Sequence, residues 1–189
     1  MKITKKPVRP RQTSARLVVT NQAGRRVATA PAIELAPIRF RIGKILVPVD
    51  FSEPSQKALH YARPFAEQFG ASLTLIHVVE PITYPMDFGY IPLETPDLEQ
   101  QRLTDLGAKL AKLGKGLAAS VPVESFIRVG RAWKEIVETA KTQGTDLIIV
   151  STHGYTGLQH ALLGSVAEKV VRHAPCPVLV VRPEEHDFV

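Results

Sequence analysis

The chain has 189 residues, 44% hydrophobic and 22% charged, with a formal net charge of +6. That balance suits one globular domain with appendages, long enough to bury a core without staples. A single cysteine, Cys176, excludes an internal disulfide, and no Cys/His cluster has metal-ligand spacing. No apolar run nears the ~18–20 residues that span a bilayer. The basic N-terminus lacks the apolar core of a secretory signal. A reducing, cytoplasmic setting without membrane attachment is the expectation.

The charge is unevenly placed. Residues 1–43 hold ten of the 24 Lys/Arg and one acid, Glu34, a net +9, whereas residues 44–189 carry a net −3. The high pI therefore belongs to an extension. Such a basic arm can touch nucleic acid or an anionic surface. No aromatic residue precedes Phe40, so bases have no stacking platform, and a solvated extension without nucleic-acid binding is the preferred reading. Residues 1–42, punctuated by Pro7, Pro10, Pro31 and Pro37, read as mostly disordered. One short stretch, from Arg16 through Asn21-Gln-Ala-Gly24 to Ala28, has the pattern of a small hairpin.

From Lys44 the pattern changes. Ile45 to Val49 is a continuous apolar run, as in a strand buried on both faces, and Pro48 suits its end. Ser52 is a good N-cap, with Pro54 in the first turn. Ala58, Leu59, Ala62, Phe65, Ala66 and Phe69 then repeat at helical spacing until Gly70. Ser72 to Val79 is the next strand. Glu80 to Thr95, rich in Pro, Tyr and Gly, reads as a loop. A long helix starts near Pro96. Val121 to Val129 is the third strand, and Trp133 to Gly144 a helix. Asp146 to Val150 is strand four, Ser165 to His173 a helix, and Pro177 to Val181 strand five. The alternation predicts parallel β-α-β units, whose ligands bind at the carboxyl ends of the strands where the winding reverses.

The segment DLIIVSTHGYTGLQHALLGSVAEKVVRHAPCPVLVV, Asp146 to Val181, carries the chemistry. A strand runs into Ser151-Thr152-His153-Gly154, and Gly164-Ser165 opens a helix. A helix N-terminus presents unpaired N–H groups and about half a positive charge, so this layout can hold a phosphate. Each residue also has a structural reading. Ser165 can instead be an N-cap, with Glu168 completing a capping box. Asp50 can be a loop cap. His153 suits a loop-ordering hydrogen bond, His77 a satisfied core histidine, and Cys176 a packed thiol.

Together with KILVPVDFSEPSQKAL and LTLIHVV, that segment makes Lys44 to Arg182 resemble the universal stress protein family. The resemblance implies a five-stranded parallel sheet with helices on both faces, Rossmann-like and similar to adenine nucleotide hydrolases, over residues 43–184. Residues 1–42 would be the basic extension and 185–189 a C-terminal tail. It implies an ATP-binding, stress-response regulatory protein, with Mg or Mn accompanying the nucleotide. The family's ATP-binding pattern is Gly, two residues, Gly, nine residues, Gly, then Ser or Thr. Gly154, Gly164 and Ser165 match it, and Ser151 stands where the first glycine belongs. Carried over by position, Pro48, Val49 and Asp50 line the adenosine side and Val78 meets the adenine edge. Val150, Ser151 and Gly154 lie beneath ribose and phosphates, and Gly164, Ser165, Val166 and Ala167 face the phosphate chain. Ala167 stands where Ser or Thr is frequent. The resemblance also implies a homodimer through the last strand, Val178 to Val181.

No GxxxxGK[ST] motif and no paired metal carboxylates are legible, so hydrolysis is expected to be slow at most. Two rivals stay open: a nucleotide-independent homodimeric interaction protein of the same fold, and an enzyme acting on adenylates.

Overall fold

A computed structural model describes residues 16–31, 41–81, 83–86, 89–92, 95–152 and 163–182. The chain divides into two units, Met1–Phe40 and Arg41–Val189. In the first unit, β1 (Arg16–Thr20) and β2 (Arg26–Pro31) form an antiparallel pair with a register shift between Val19 and Thr20. This is the hairpin that the sequence pattern offers. Its turn is closed by Asn21, whose Oδ1 accepts the N–H groups of Ala23 and Arg25, each at 3.0 Å. Gly24 takes the left-handed conformation there, with φ 73°.

The second unit is built on a five-stranded parallel sheet. Its strands are β3 (Lys44–Pro48), β4 (Ser72–Val79), β7 (Val123–Val129), β8 (Leu147–Ser151) and β9 (Val178–Val181), in the spatial order β7-β4-β3-β8-β9. The connecting helices are α1 (Glu53–Phe69), α2 (Pro96–Leu117), α3 (Ala132–Gln143) and α4 (Ser165–His173).

Period-two alternation sorts the strand side chains between two cores. Ile45, Val47, Leu73, Leu75 and Ile149 join Ala58, Ala62 and Ala66 of α1 and Leu110 of α2. Leu46, Ile76, Ile148 and Val150 join Ile136 and Ala140 of α3 and Ala167 and Val170 of α4. The helices thus cover both faces, which is why β3 and β8 are continuous apolar runs rather than alternating ones.

The stretch after β4 departs from the sequence reading. Glu80 to Thr95 is not all loop, because β5 (Thr83–Met86) and β6 (Gly89–Pro92) pair antiparallel across it. Tyr84 lies opposite Ile91 in that ladder. Aromatic and β-branched residues favour extended backbone. A two-stranded ribbon has only edge strands, where proline is tolerated. The third strand also starts at Val123 rather than Val121, while Ser72–Val79 and Ser165–His173 match the expected bounds.

Helix ends follow local chemistry. The α1 N-cap is Ser52, whose hydroxyl accepts the Ser55 N–H at 3.3 Å. Gly70 and Gly144 end α1 and α3 in the left-handed conformation, at φ 65° and 61°.

Leu46 of β3 is fully buried in the core that α3 and α4 cover. Leu46→Ala is expected to lower unfolding free energy by about 2–5 kcal/mol, and Phe69→Ala, at a 41% exposed position, by far less. Urea titration reads both values.

Candidate functional site

The sheet order defines where a site can form. The chain winds outward from β3 through β4 to β7, then returns to the other side of β3 as β8 and β9. Winding reverses between β3 and β8, so the helices after these two strands leave toward opposite faces and a crevice opens between them. The β3–β8 register covers only Ile45↔Leu147 and Leu46↔Ile148. Further along, Pro48 brings no N–H to a ladder. A cleft of about 250 Å³ lies at these carboxyl ends.

One wall is the turn after β3. The Val49 N–H donates to Ile76 O at 2.8 Å, continuing the β3–β4 ladder past Pro48. Asp50 Oδ1 then accepts the Ser52 N–H at 3.0 Å and also the Ser52 hydroxyl. Between them Phe51 adopts φ 65°, a conformation costing a non-glycine residue on the order of 1–3 kcal/mol. The Ser52 hydroxyl therefore serves both the Asp50 carboxylate and the first turn of α1. Ser55, 1% exposed, donates its own hydroxyl to Ser52 O at 3.0 Å. Asp50 thus acts as the loop cap that its position suggests, and the residue also lines the cleft.

The opposite wall is the end of β8 and the start of α4. The Thr152 N–H donates to Val181 O at 2.9 Å, and the Gly164 N–H donates to Thr152 O at 2.7 Å. The second bond pins the start of α4 to the end of β8. Gly164 is the N-cap, and no side chain caps the helix. The capping-box reading of Ser165 is therefore corrected. Ser165 is the first helical residue, its side chain is exposed, and Glu168 pairs with Arg172 at 2.7 Å instead. Glycine took the cap because it lies one residue earlier, where the backbone turns into the helix. Helix geometry gives the N–H groups of Ser165, Val166 and Ala167 no intrahelical acceptor.

Of the positions expected from the sequence, the cleft brings together Pro48, Val49, Asp50, Val78, Val150, Ser151, Gly164, Ser165, Val166 and Ala167. Gly154 and His153 lie outside the described residues. Ala167 is 3% exposed and packed in the second core, so its methyl group is a core contact. Thr152, within the Ser151 to Gly154 stretch expected at the site, lines the cleft too, as do Ser55, His77, Ala132 and Ile136, which sequence reasoning did not place there. Ser55 could have been found from its place in the first turn of a helix that starts at the strand end. Ala132 and Ile136 carry no chemical signal.

His77 differs from the expectation in part. It is hydrogen-bonded, with Nδ1 2.6 Å from Val49 O, but it is half-buried in the cleft wall rather than enclosed in the core. At the far side, Glu80 Oε1 accepts the Ala132 N–H at 2.8 Å, so a carboxylate occupies the positive end of α3. Cys176 is half-buried. Burial, reinforced by the nearby Asp146 charge, pushes its thiol up from the ordinary value, as expected of a packed rather than reactive thiol. Among the described residues no group of three or more His, Cys, Asp or Glu could hold a metal ion. No helix among them is long and apolar enough to cross a membrane.

A doubly wound parallel sheet with a crevice at its reversal point defines a class of α/β ligand-binding domains. Comparison narrows that class. A sequence model of the universal stress protein family matches residues 41–182. A universal stress protein of Methanocaldococcus jannaschii, MJ0531, is 37% identical over 142 residues, covering 74% of this chain and 81% of that protein. The solved structure of MJ0577 from the same organism superposes with a TM-score of 0.66 at 30% identity, over 78% of this chain and all of that one. A universal stress protein solved in complex with cAMP shares the fold at a TM-score of 0.58 and 22% identity, over 77% of this chain and 100% of its own. The chain belongs to the universal stress protein family.

Because the Ser165 hydroxyl caps nothing in α4, Ser165→Ala is expected to change stability by less than about 0.5 kcal/mol. Ser52→Ala removes a cap and a partner of Asp50, and is expected to cost about 1–2 kcal/mol. Paired urea unfolding curves compare the two.

Proposed function

We propose that the cleft binds an adenine nucleotide, ATP, and that the protein is a nucleotide-binding regulator in a stress response, with slow hydrolysis at most. One observation carries the reading. The apolar end of β3–β4 and the open N-terminus of α4 line opposite walls of the same cleft. A nucleotide is apolar and planar at one end and anionic at the other. Pro48, Val49 and Val78 suit the base, and the N–H groups of Ser165, Val166 and Ala167 suit the phosphates. The Ser165 hydroxyl, not used as a cap, adds a donor there. A divalent ion, Mg or Mn, would arrive with the phosphates rather than in a cage of protein ligands. Asp50 is the carboxylate in the cleft wall that could meet it or the ribose.

Fast turnover needs groups that stabilise the transition state more than the bound substrate. No phosphate-binding lysine motif accompanies α4, so binding without rapid chemistry is the consistent reading. The protein would work in the cytoplasm, where one half-buried thiol stays reduced. Ser151 and Ala167 favour a second reading, a nucleotide-independent homodimeric interaction protein. Ser151 replaces the first glycine of the family's ATP-binding pattern, and Ala167 stands where Ser or Thr is frequent. The homodimer itself is proposed in both readings. Edge strand β9, Val178–Val181, is apolar and lies at the sheet margin, and an apolar edge invites pairing with a second copy.

Two measurements separate the readings. Purified protein, denatured and chromatographed, is expected to release adenine nucleotide, and calorimetric titration with ATP to saturate. Gly164 has φ −65° and ψ 151°, a backbone conformation that other residues also adopt, so Gly164→Val places a side chain at the mouth of α4, and its unfolding curve is measured beside its affinity. An affinity loss of at least about tenfold is expected, ~1.4 kcal/mol. Absence of both released nucleotide and saturable binding leaves the interaction-protein reading. Sedimentation of wild type is expected to give a dimer and Val178→Lys a monomer; a monomeric wild type removes the β9 interface.

A further inference from the structure

We infer that His77 is a positioning residue for the nucleotide site, holding the Val49–Ser52 turn in the shape that forms the cleft wall. The inference rests on the nucleotide reading for its consequence, and on geometry for its content.

A backbone carbonyl only accepts hydrogen bonds, so the 2.6 Å contact between His77 Nδ1 and Val49 O places the donated hydrogen on Nδ1. The Val49 peptide groups are then held on both sides, the N–H by Ile76 O and the C=O by the imidazole. Both bonds come from β4 and hold the chain where it leaves β3. The turn that follows needs a grip. Phe51 sits at φ 65°, and nothing intrinsic to phenylalanine favours that conformation. The His77 ring also packs against the Phe51 ring, with centroids 4.7 Å apart. Lys109 of α2 also lies over the Phe51 ring, its Nζ 4.2 Å from the ring centroid. One histidine thus contacts the residues before and after Asp50, whose carboxylate direction follows from the turn.

The role needs a donor at the Nδ1 position and a side chain that reaches no further. Asparagine supplies that donor at the same place. Glutamine is equally polar and neutral but carries its amide one carbon further out, past the Val49 carbonyl. Full-length His77→Asn and His77→Gln are compared with wild type in two readouts. Without ligand, amide hydrogen exchange at Ser52 is expected to accelerate at least about tenfold in the glutamine variant and less than about threefold in the asparagine variant. Exchange at Val47 in the core should be unchanged in both, which separates a local effect from global destabilisation. With ATP, the glutamine variant is expected to bind about tenfold more weakly and the asparagine variant to stay within threefold of wild type.

The inference is overturned if glutamine leaves Ser52 exchange unchanged, if asparagine is as damaging as glutamine, or if Val47 accelerates in parallel. It is equally overturned if wild type and the glutamine variant bind ATP alike. A wild type that binds no ATP sinks the nucleotide reading instead, and the exchange rates still decide whether His77 holds the turn.

Discussion

The cleft depends on one constraint: β3 and β8 are neighbours in the sheet but separated by most of the domain in sequence. A parallel sheet must be covered on both faces. The chain covers one face with α1 and α2 while building outward to β7, then crosses to cover the other with α3 and α4. Only at the reversal do the helices on either side turn away from each other. The crevice is therefore a consequence of burying the strands, and not a separate invention of the loops around it.

Two small sets of hydrogen bonds convert that crevice into a shaped site. Gly164 N–H to Thr152 O brings the start of α4 back to the end of β8. Asp50, Ser52 and Ser55 form the other set, continuous from the end of β3 into α1. A typical bond contributes only about 0.5–1.5 kcal/mol net, similar to the strain at Phe51. Their value lies in direction. They fix the Asp50 turn and the start of α4, and both line the same cavity.

Much of the fold was legible because buried strands and amphipathic helices leave strong periodic patterns. Ile45 to Val49 and Ser72 to Val79 announce themselves as strands, and Ser52 and Gly70 bracket α1. The hairpin of β5 and β6 was not legible. Its prolines and glycine read as loop, and the β-forming Tyr84 and Ile91 gain their meaning only when paired. The helix start at Ser165 was legible, but the N-cap reading of Ser165 fell one residue late, since a serine followed three later by a glutamate imitates a capping box. The backbone put Gly164 at the cap instead. His77 was legible as a bonded histidine but not as a wall of the cleft, because a strand pattern does not say how far a side chain lies from the strand's open end.

By itself the sequence determined the chain order of the five sheet strands and the four helices, the two apolar faces, and the glycine and serine at the start of α4. These are local properties, set by periodicity, capping and turn chemistry within a few residues. Tertiary structure decided which strand ends meet, that Ala167 is a core methyl group, and that His77 reaches the Val49 carbonyl 28 positions away. Those facts depend on strand order and register, which arise when distant segments bury one another, and no local pattern encodes them.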